Sequence, residues 1–408
     1  MPFQPATSLA PFGTTIFTTM SRLAVEHGAV NLSQGFPDFD GPEFVKEAAI
    51  KAIRDGHAQY APMSGIPSLR RALAERFTAS SGVPADPDTH VTVTSGCTEA
   101  IAAALLGVCN PGDEVILFEP FYDSYRACVA MTGAAARVVT LHARADPATN
   151  IRSFEFDQDE LRAAFTPRTK AIVLNTPHNP TAKVFSRAEL QLIASLCIQH
   201  GVIAITDEVY ERLTFDGDRP HIHLASLPGM AERTITLSSL GKTFSLTGWK
   251  IGWAIAPPAL TQAVRSAHQF LTFATSTPMQ HAAVVALQRE QEYVAELMTL
   301  YRSSRDFLAG ALESLGFDVF PCQGTYFIMA GHDRLSGSLP SDPSTSADVA
   351  FCMHLTRQIG VAAIPPSAFY INTSLGTPLV RFAFCKKRQT LELAVARLER
   401  LRAPLSEP

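Results

Sequence analysis

Lys242 stands in TITLSSLGKTFSLTGWKIGW, a segment that also carries Ser239 and Lys250. Gly241-Lys242-Thr243 resembles the end of a phosphate-binding P-loop. That motif needs a glycine five residues before its last one, where this chain has Thr236, so the P-loop reading fails. A lysine set among Leu, Phe and Thr loses hydration, which lowers its pKa and frees the amine to attack a carbonyl carbon. Lys250 can then stay charged opposite a phosphate. Two ordinary surface lysines are the plain alternative.

Three further segments invite chemistry. VIAITDEVY puts Asp207 at the end of an apolar run, with Tyr210 three residues on. A carboxylate buried there needs a cationic partner, for which a pyridinium nitrogen would serve; a capping aspartate is the alternative. VTVTSGCTEA leads through Ser95 and Gly96 into an apolar helix starting near Thr98. Free N–H groups and the helix dipole make such a start a phosphate site, although the same residues also suit a simple turn and N-cap. In KAIVLNTPHNPTAK the prolines and asparagines impose a rigid turn from which Asn179 can aim its amide at a ligand, while His178 reads as a solvated loop histidine. Arg381 lies inside LVRFAFC. An unpaired guanidinium is costly to bury and its fork matches a carboxylate, unless the position faces solvent from an edge strand.

These residues need a frame. The runs VTVT, EVILF, ARVVTL, KAIVLN, VIAIT, TITLSS and GWAIA alternate with helical stretches, which predicts βα units around a mostly parallel sheet. Several runs are apolar throughout, as strands covered on both faces must be. Ligands of such sheets bind beyond the carboxyl ends of the strands, where the chemical residues fall. An arm rich in Pro, Gly and Thr precedes a helix near 42–55, and helical patterns run from about 258 to 316. A smaller α+β segment contains VAAIP and LVRFAFC, residues 331–347 read as a loop, and no internal repeat is visible.

The bulk composition narrows the classes. With 408 residues, 46% apolar and 18% charged, the chain has material for two or three globular domains. A net charge of −4 without dense Lys/Arg blocks excludes the footprint of a nucleic-acid or membrane-surface protein. Seven cysteines without metal-ligand spacing predict no metal centre and a reducing compartment. With no leader-like start and no apolar stretch of ~20 residues, a cytoplasmic location is expected.

Taken in order, the segments resemble the class I/II, fold type I pyridoxal-phosphate-dependent aminotransferases, most closely the branch with kynurenine aminotransferase, glutamine transaminase K and methionine aminotransferase. NLSQGFPDFDGP, QYAPMSGIPSLR, GDEVILFEPFYDSY, NTPHNPTAKVF, ITDEVYERLTFDG, SLGKTFSLTGWKIGW, GTYF, GVAAIPPSAFY and VRFAFCKK carry the resemblance over nearly the whole chain. It implies an arm with part of a small domain (1–41), a large cofactor-binding domain (42–292) and a small C-terminal domain (293–408). It implies pyridoxal 5'-phosphate as cofactor, with Lys242 as Schiff-base lysine and proton shuttle, Asp207 at the ring nitrogen, Tyr210 and Asn179 at the ring hydroxyl, and Tyr122 stacked on the ring. Backbone groups of Cys97 and Thr98, with Ser239 and Lys250, would hold the phosphate. Tyr60 would reach it from the second subunit of a homodimer with shared sites. Arg381, Asn179 and the Gly35 backbone would bind the substrate carboxylate, and Phe17, with Phe273 of the other subunit, would line the side-chain pocket.

Three positions depart from the commonest pattern: Cys97 for Gly or Ala, Ala182 for the Gly after NPT, and Phe17 where some members carry Trp. The implied reaction is ping-pong transfer of the α-amino group of methionine, kynurenine, phenylalanine or glutamine to a 2-oxo acid. Rings at Phe17, Tyr60, Tyr122, Phe273 and Phe369 or Tyr370, without a clear second arginine, make aspartate an expected poor donor. Elimination from cysteine S-conjugates shares the first proton abstraction and stays open as a second activity. A regulatory protein keeping only the fold is the non-enzyme alternative; it would need a DNA-binding segment ahead of the sheet, and no basic helix-turn-helix pattern is seen there.

Overall fold

The computed structural model describes residues 6–402 apart from 147, 150, 216, 218 and 337–344. The seven apolar runs pair into one sheet: β1 (Val91–Thr94), β2 (Glu114–Glu119), β3 (Ala135–Thr140), β4 (Thr169–Asn175), β5 (Ile203–Asp207), β6 (Thr234–Ser239) and β7 (Gly252–Ile255), in the order β1-β7-β6-β5-β4-β2-β3. β7 runs antiparallel to β1 and β6, and every other pairing is parallel.

Alternate side chains point to opposite faces of a strand, and here both faces meet a core. Ile116 and Phe118 of β2, Ile172 and Leu174 of β4, and Ala204 of β5 enter one cluster, while Val115, Leu117, Ala171, Val173 and Ile205 enter the other. This double burial is why the runs are apolar without alternation. Each fully buried large aliphatic side chain contributes roughly 1.5–3 kcal/mol.

The helices used below are α1 (Ile16–Glu26), α2 (Glu43–Arg54), α3 (Pro67–Ser81), α4 (Gly96–Val108), α5 (Ser124–Thr132), α6 (Pro258–Leu271), α7 (Thr277–Gln288) and α8 (Glu290–Ser314). The Pro/Gly/Thr-rich arm contains a helix, α1, that its composition does not announce. Thr15 caps it by accepting a hydrogen bond from the Thr18 N–H, and Met20, Leu23 and Ala24 form its buried stripe. α3 was not anticipated either. α4 approaches α6 closely because residue 107 is glycine: a Cβ there would lie 2.4 Å from the Ala263 carbonyl oxygen.

α8 carries the chain to a second, antiparallel sheet of β8 (Asp318–Val319), β9 (Phe327–Gly331) and β10 (Leu379–Ala383), in that order. Met20 and Leu23 of α1 share a core with Leu297, Tyr301 and Leu308 of α8 and Ile328 and Phe382 of this sheet. That shared core fixes the N-terminal arm beside β10. Within the expected 331–347 loop, Asp333–Ser336 form one helical turn and Ala347 begins a helix, while 337–344 lie outside the described residues.

Candidate active site

Two cavities open beyond the carboxyl ends of β1, β4, β5 and β6. The inner one is about 220 Å³ and the outer one about 710 Å³, and Tyr122, Asn179, Tyr210, Lys242 and Thr247 line both. The strand ends therefore converge as open α/β sheets dictate.

Asp207 closes β5 with only 5% of its surface exposed. Oδ2 accepts a 2.6 Å hydrogen bond from the Tyr125 hydroxyl, while Oδ1 accepts only long contacts from the Val209 N–H (3.3 Å) and the Cys97 thiol (3.5 Å). Burial pushes the carboxyl pKa up, and the Tyr125, Val209 and Cys97 donors oppose this. A cationic N–H donor at Oδ1 would offset the remaining desolvation cost. Tyr125 is not legible in the sequence, since nothing in SYRA shows which face of α5 turns inward.

α4 begins at Gly96, and Gly96, Cys97 and Thr98 of its first turn line the inner cavity. The backbone is packed tightly there: a Cβ on Gly252 of β7 would lie 2.4 Å from the Gly96 carbonyl carbon and 2.7 Å from the Cys97 nitrogen. A Cβ on Gly96 would lie 3.1 Å from Lys250 Nζ, so an ammonium hangs over the helix start. With Cys97, Thr98 and Ser239 on the same wall, this cradle matches a phosphate.

Lys242 lies in a single helical turn (Leu240–Thr243) just after β6. Its Nζ donates to the Gly35 carbonyl at 3.3 Å and lies 5.8 Å and 5.7 Å from the ring centres of Tyr210 and Tyr326. Burial among these rings pushes its pKa down to about 8, with the nearby Cys385 and Asp207 opposing. Gly35 is held by a 2.5 Å hydrogen bond from the Tyr326 hydroxyl, and only glycine fits, because a Cβ would lie 2.6 Å from Phe327.

Arg381 on β10 is 1% exposed, which removes the solvent-facing alternative. Nη1 donates to Asn179 Oδ1 (2.7 Å) and Nη2 to the Ser33 carbonyl (3.2 Å), whereas Nε is buried without a partner. Burial lowers its pKa to about 10, which still leaves it charged at neutral pH. Rings of Phe327, Phe369 and Phe17 lie 4.0, 5.2 and 5.4 Å from the guanidinium carbon. The Asn179 N–H donates to Asn175 Oδ1 (2.7 Å) and Asn175 Nδ2 to the Asp207 carbonyl (2.8 Å), so hydrogen bonds link Arg381 to the end of β5.

Two readings change, that of His178 and that of the missing second arginine. His178 is 1% exposed rather than solvated; its Nδ1 pairs with Thr181 Oγ1 at 2.8 Å, and burial with the nearby Lys183 charge holds its pKa at about 3. Ala182 adopts φ 61°, the left-handed conformation that glycine takes without strain. A second arginine, Arg126, also lines the outer cavity, contrary to expectation. Tyr60 and Phe273 line neither cavity of their own chain. They meet each other edge to face at 5.6 Å on the surface, where Tyr60 is 84% exposed.

The family model "Aminotransferase class I and II" matches residues 27–398. The chain is 48% identical over 398 residues to a Mycobacterium tuberculosis protein named "Probable N-succinyldiaminopimelate aminotransferase DapC", covering 96% of each chain. It is 41% identical over 422 residues to a kynurenine–oxoglutarate transaminase of Dictyostelium discoideum, covering 98% of this chain and 97% of that one. A solved Escherichia coli structure described as having a methionine aminotransferase function superposes with a TM-score of 0.89 at 40% identity, over 98% of this chain and all of the other. The chain belongs to the class I and II aminotransferases, enzymes that use pyridoxal 5'-phosphate. When bound, that cofactor supplies an electron sink for the charge left at a substrate Cα. The buried Asp207 carboxylate, the helix-start cradle with Lys250, and the low-pKa amine of Lys242 fit its ring nitrogen, phosphate and aldehyde. No described helix is long and apolar enough to cross a membrane.

Proposed function

We propose that this transaminase takes its amino group from long apolar or aromatic amino acids, with methionine, kynurenine, phenylalanine and glutamine as donors and a 2-oxo acid as acceptor. The observation that carries this reading is the ring of Phe327, Phe369 and Phe17 around the buried guanidinium of Arg381. A carboxylate held there leaves its side chain against aromatic walls, where burial favours thioether and ring groups. A short second carboxylate loses hydration at a cost of several kcal/mol. The M. tuberculosis relative supports a second reading, in which the donor is the longer N-succinyldiaminopimelate, and the 710 Å³ outer cavity has room for it.

In this reading Lys242 Nζ holds the cofactor and takes the proton from the substrate Cα. Asp207 keeps the ring nitrogen protonated, Tyr210 and Asn179 bind the ring hydroxyl, and Tyr122 covers the ring. The Cys97 and Thr98 backbone, Ser239 and Lys250 hold the phosphate. Arg381, Asn179 and Gly35 orient the substrate carboxylate, and Phe17 packs on its side chain. Tyr60 and Phe273 complete the site of the second subunit in a homodimer, a role supported by their exposure. The division into 1–41, 42–292 and 293–408 belongs to the same proposal and is supported by the separate three-stranded sheet, although α8 spans the second boundary. A cytoplasmic location is supported by seven free cysteines.

The test is kcat/KM for alanine, norleucine, methionine, kynurenine and aspartate with one common 2-oxo acid. At about 0.8 kcal/mol per buried methylene, norleucine should exceed alanine by more than about tenfold. A preference for aspartate would reject the aromatic-pocket reading.

A further inference from the structure

We propose that Arg126 binds the distal carboxylate of substrates whose chains are long enough to cross the aromatic section of the outer cavity. This rests on the transaminase reading above and adds the residue that selects for acidic ends. Arg126 lies in the first turn of α5, four residues after Tyr122, and is exposed on the wall of the 710 Å³ cavity. That space is several times what a methionine side chain fills.

Arg126 makes one interaction among the described residues. Its guanidinium carbon lies 5.5 Å from the ring centre of Phe12, which lines the same cavity. A cation–π contact engages the charge but none of the five N–H donors. Two less exposed arginines of this chain spend theirs on carboxylates: Arg76 pairs with Glu211 and Glu290, and Arg152 with Asp318. A planar fork left without an acid at the mouth of a substrate cavity has the geometry to take a carboxylate in two parallel hydrogen bonds.

The other charges on this wall separate short acids from long ones. Lys242 and Arg381 are engaged by the cofactor and the α-carboxylate. Asp123 also lines the cavity, where burial raises its carboxyl pKa and the charge of Arg381 acts against that. Asp123 is itself an acid, so it offers the second carboxylate of a short donor no cationic partner there. A carboxylate carried farther out passes the rings and meets Arg126. The cavity thus admits apolar chains and favours those that end in an acid.

The experiment compares two donors of equal chain length, 2-aminopimelate and 2-aminoheptanoate, on the holoenzyme and on Arg126→Gln, Arg126→Glu and Arg126→Lys. The ratio of their specificity constants, acid over neutral, is expected to fall about tenfold in Arg126→Gln and further in Arg126→Glu. Arg126→Lys should keep part of it, and added salt should shrink the wild-type ratio. An unchanged ratio overturns the proposal while turnover of 2-aminoheptanoate leaves the transaminase reading standing. An equal fall for both donors also overturns it, since Arg126 then only holds Phe12 and the arm in place. Wild-type failure on every donor, including methionine, rejects the underlying reading itself.

Discussion

The hydroxyl of Tyr125 donates a 2.6 Å hydrogen bond to Oδ2 of Asp207, so a residue of α5 holds the carboxylate at the end of β5. A hydrogen bond to a buried charge contributes about 1.5–3 kcal/mol. Tyr125→Phe should therefore loosen cofactor binding by about tenfold or more while the fold persists, and Asp207→Asn should lower kcat by at least about a hundredfold, because an amide cannot keep a ring nitrogen protonated. Equilibrium dialysis of the cofactor and steady-state rates check both; wild-type values in Asp207→Asn would reduce that residue to a strand cap.

Arg381→Lys should weaken binding of amino donor and 2-oxo acid together, by roughly 1–3 kcal/mol, since an ammonium cannot reproduce the planar fork. The buried Nε, which has no partner among the described residues, is the donor most directly lost. Inhibition by a non-reactive carboxylate such as maleate should weaken in parallel. Unchanged inhibition would place the carboxylate elsewhere.

Much of this architecture can be read from sequence, because the parallel sheet is buried on both faces and several strands are consequently solid apolar runs. VTVT and TITLSS coincide with β1 and β6, and the other five runs fall within one residue of their strands at either end. Lys242, Asp207 and Arg381 stand out because a charged group in an apolar run demands a reason. Tyr125, Asn175 and Tyr326 do not, since a polar ring or amide inside ordinary helix and strand patterns carries no such demand. His178 looks solvated in a Pro/Asn turn, yet the turn folds inward beneath Phe185, and local composition cannot reveal that. α1 is hidden for the opposite reason: its stripe of Met20, Leu23 and Ala24 is short and follows Pro and Gly.

Burial lowers the pKa of Lys242 from an ordinary lysine value to about 8. The neutral amine is the nucleophile, so capture of a carbonyl compound by the cofactor-free chain should accelerate with pH and level off near 8, not near 10. The linkage has a matching sign. The folded pKa lies below the unfolded one, so between about 8 and 10.5 the unfolded chain binds more protons and the stability of the cofactor-free chain rises with pH. Lys242→Met should flatten that rise in urea titrations; an unaltered slope would contradict the burial of the amine.

Tyr60 tests the shared site. It is exposed beside Phe273 and lines neither of the two active-site cavities of its own chain. Mixed dimers of Tyr60→Phe and Lys242→Ala subunits should contain one site with both defects and one with neither, so activity should partly return on mixing. Demonstrated subunit exchange with no recovered activity would confine Tyr60 to its own chain.

The role of Lys242 in transamination is open to test in a single half-reaction. Purified holoenzyme is mixed with excess methionine and no 2-oxo acid, and the products are counted. About one equivalent of the 2-oxo acid per site is expected, then arrest until a 2-oxo acid is added, with no burst in Lys242→Ala. Continuous release of ammonia without an acceptor, or an undiminished burst in Lys242→Ala, would contradict it.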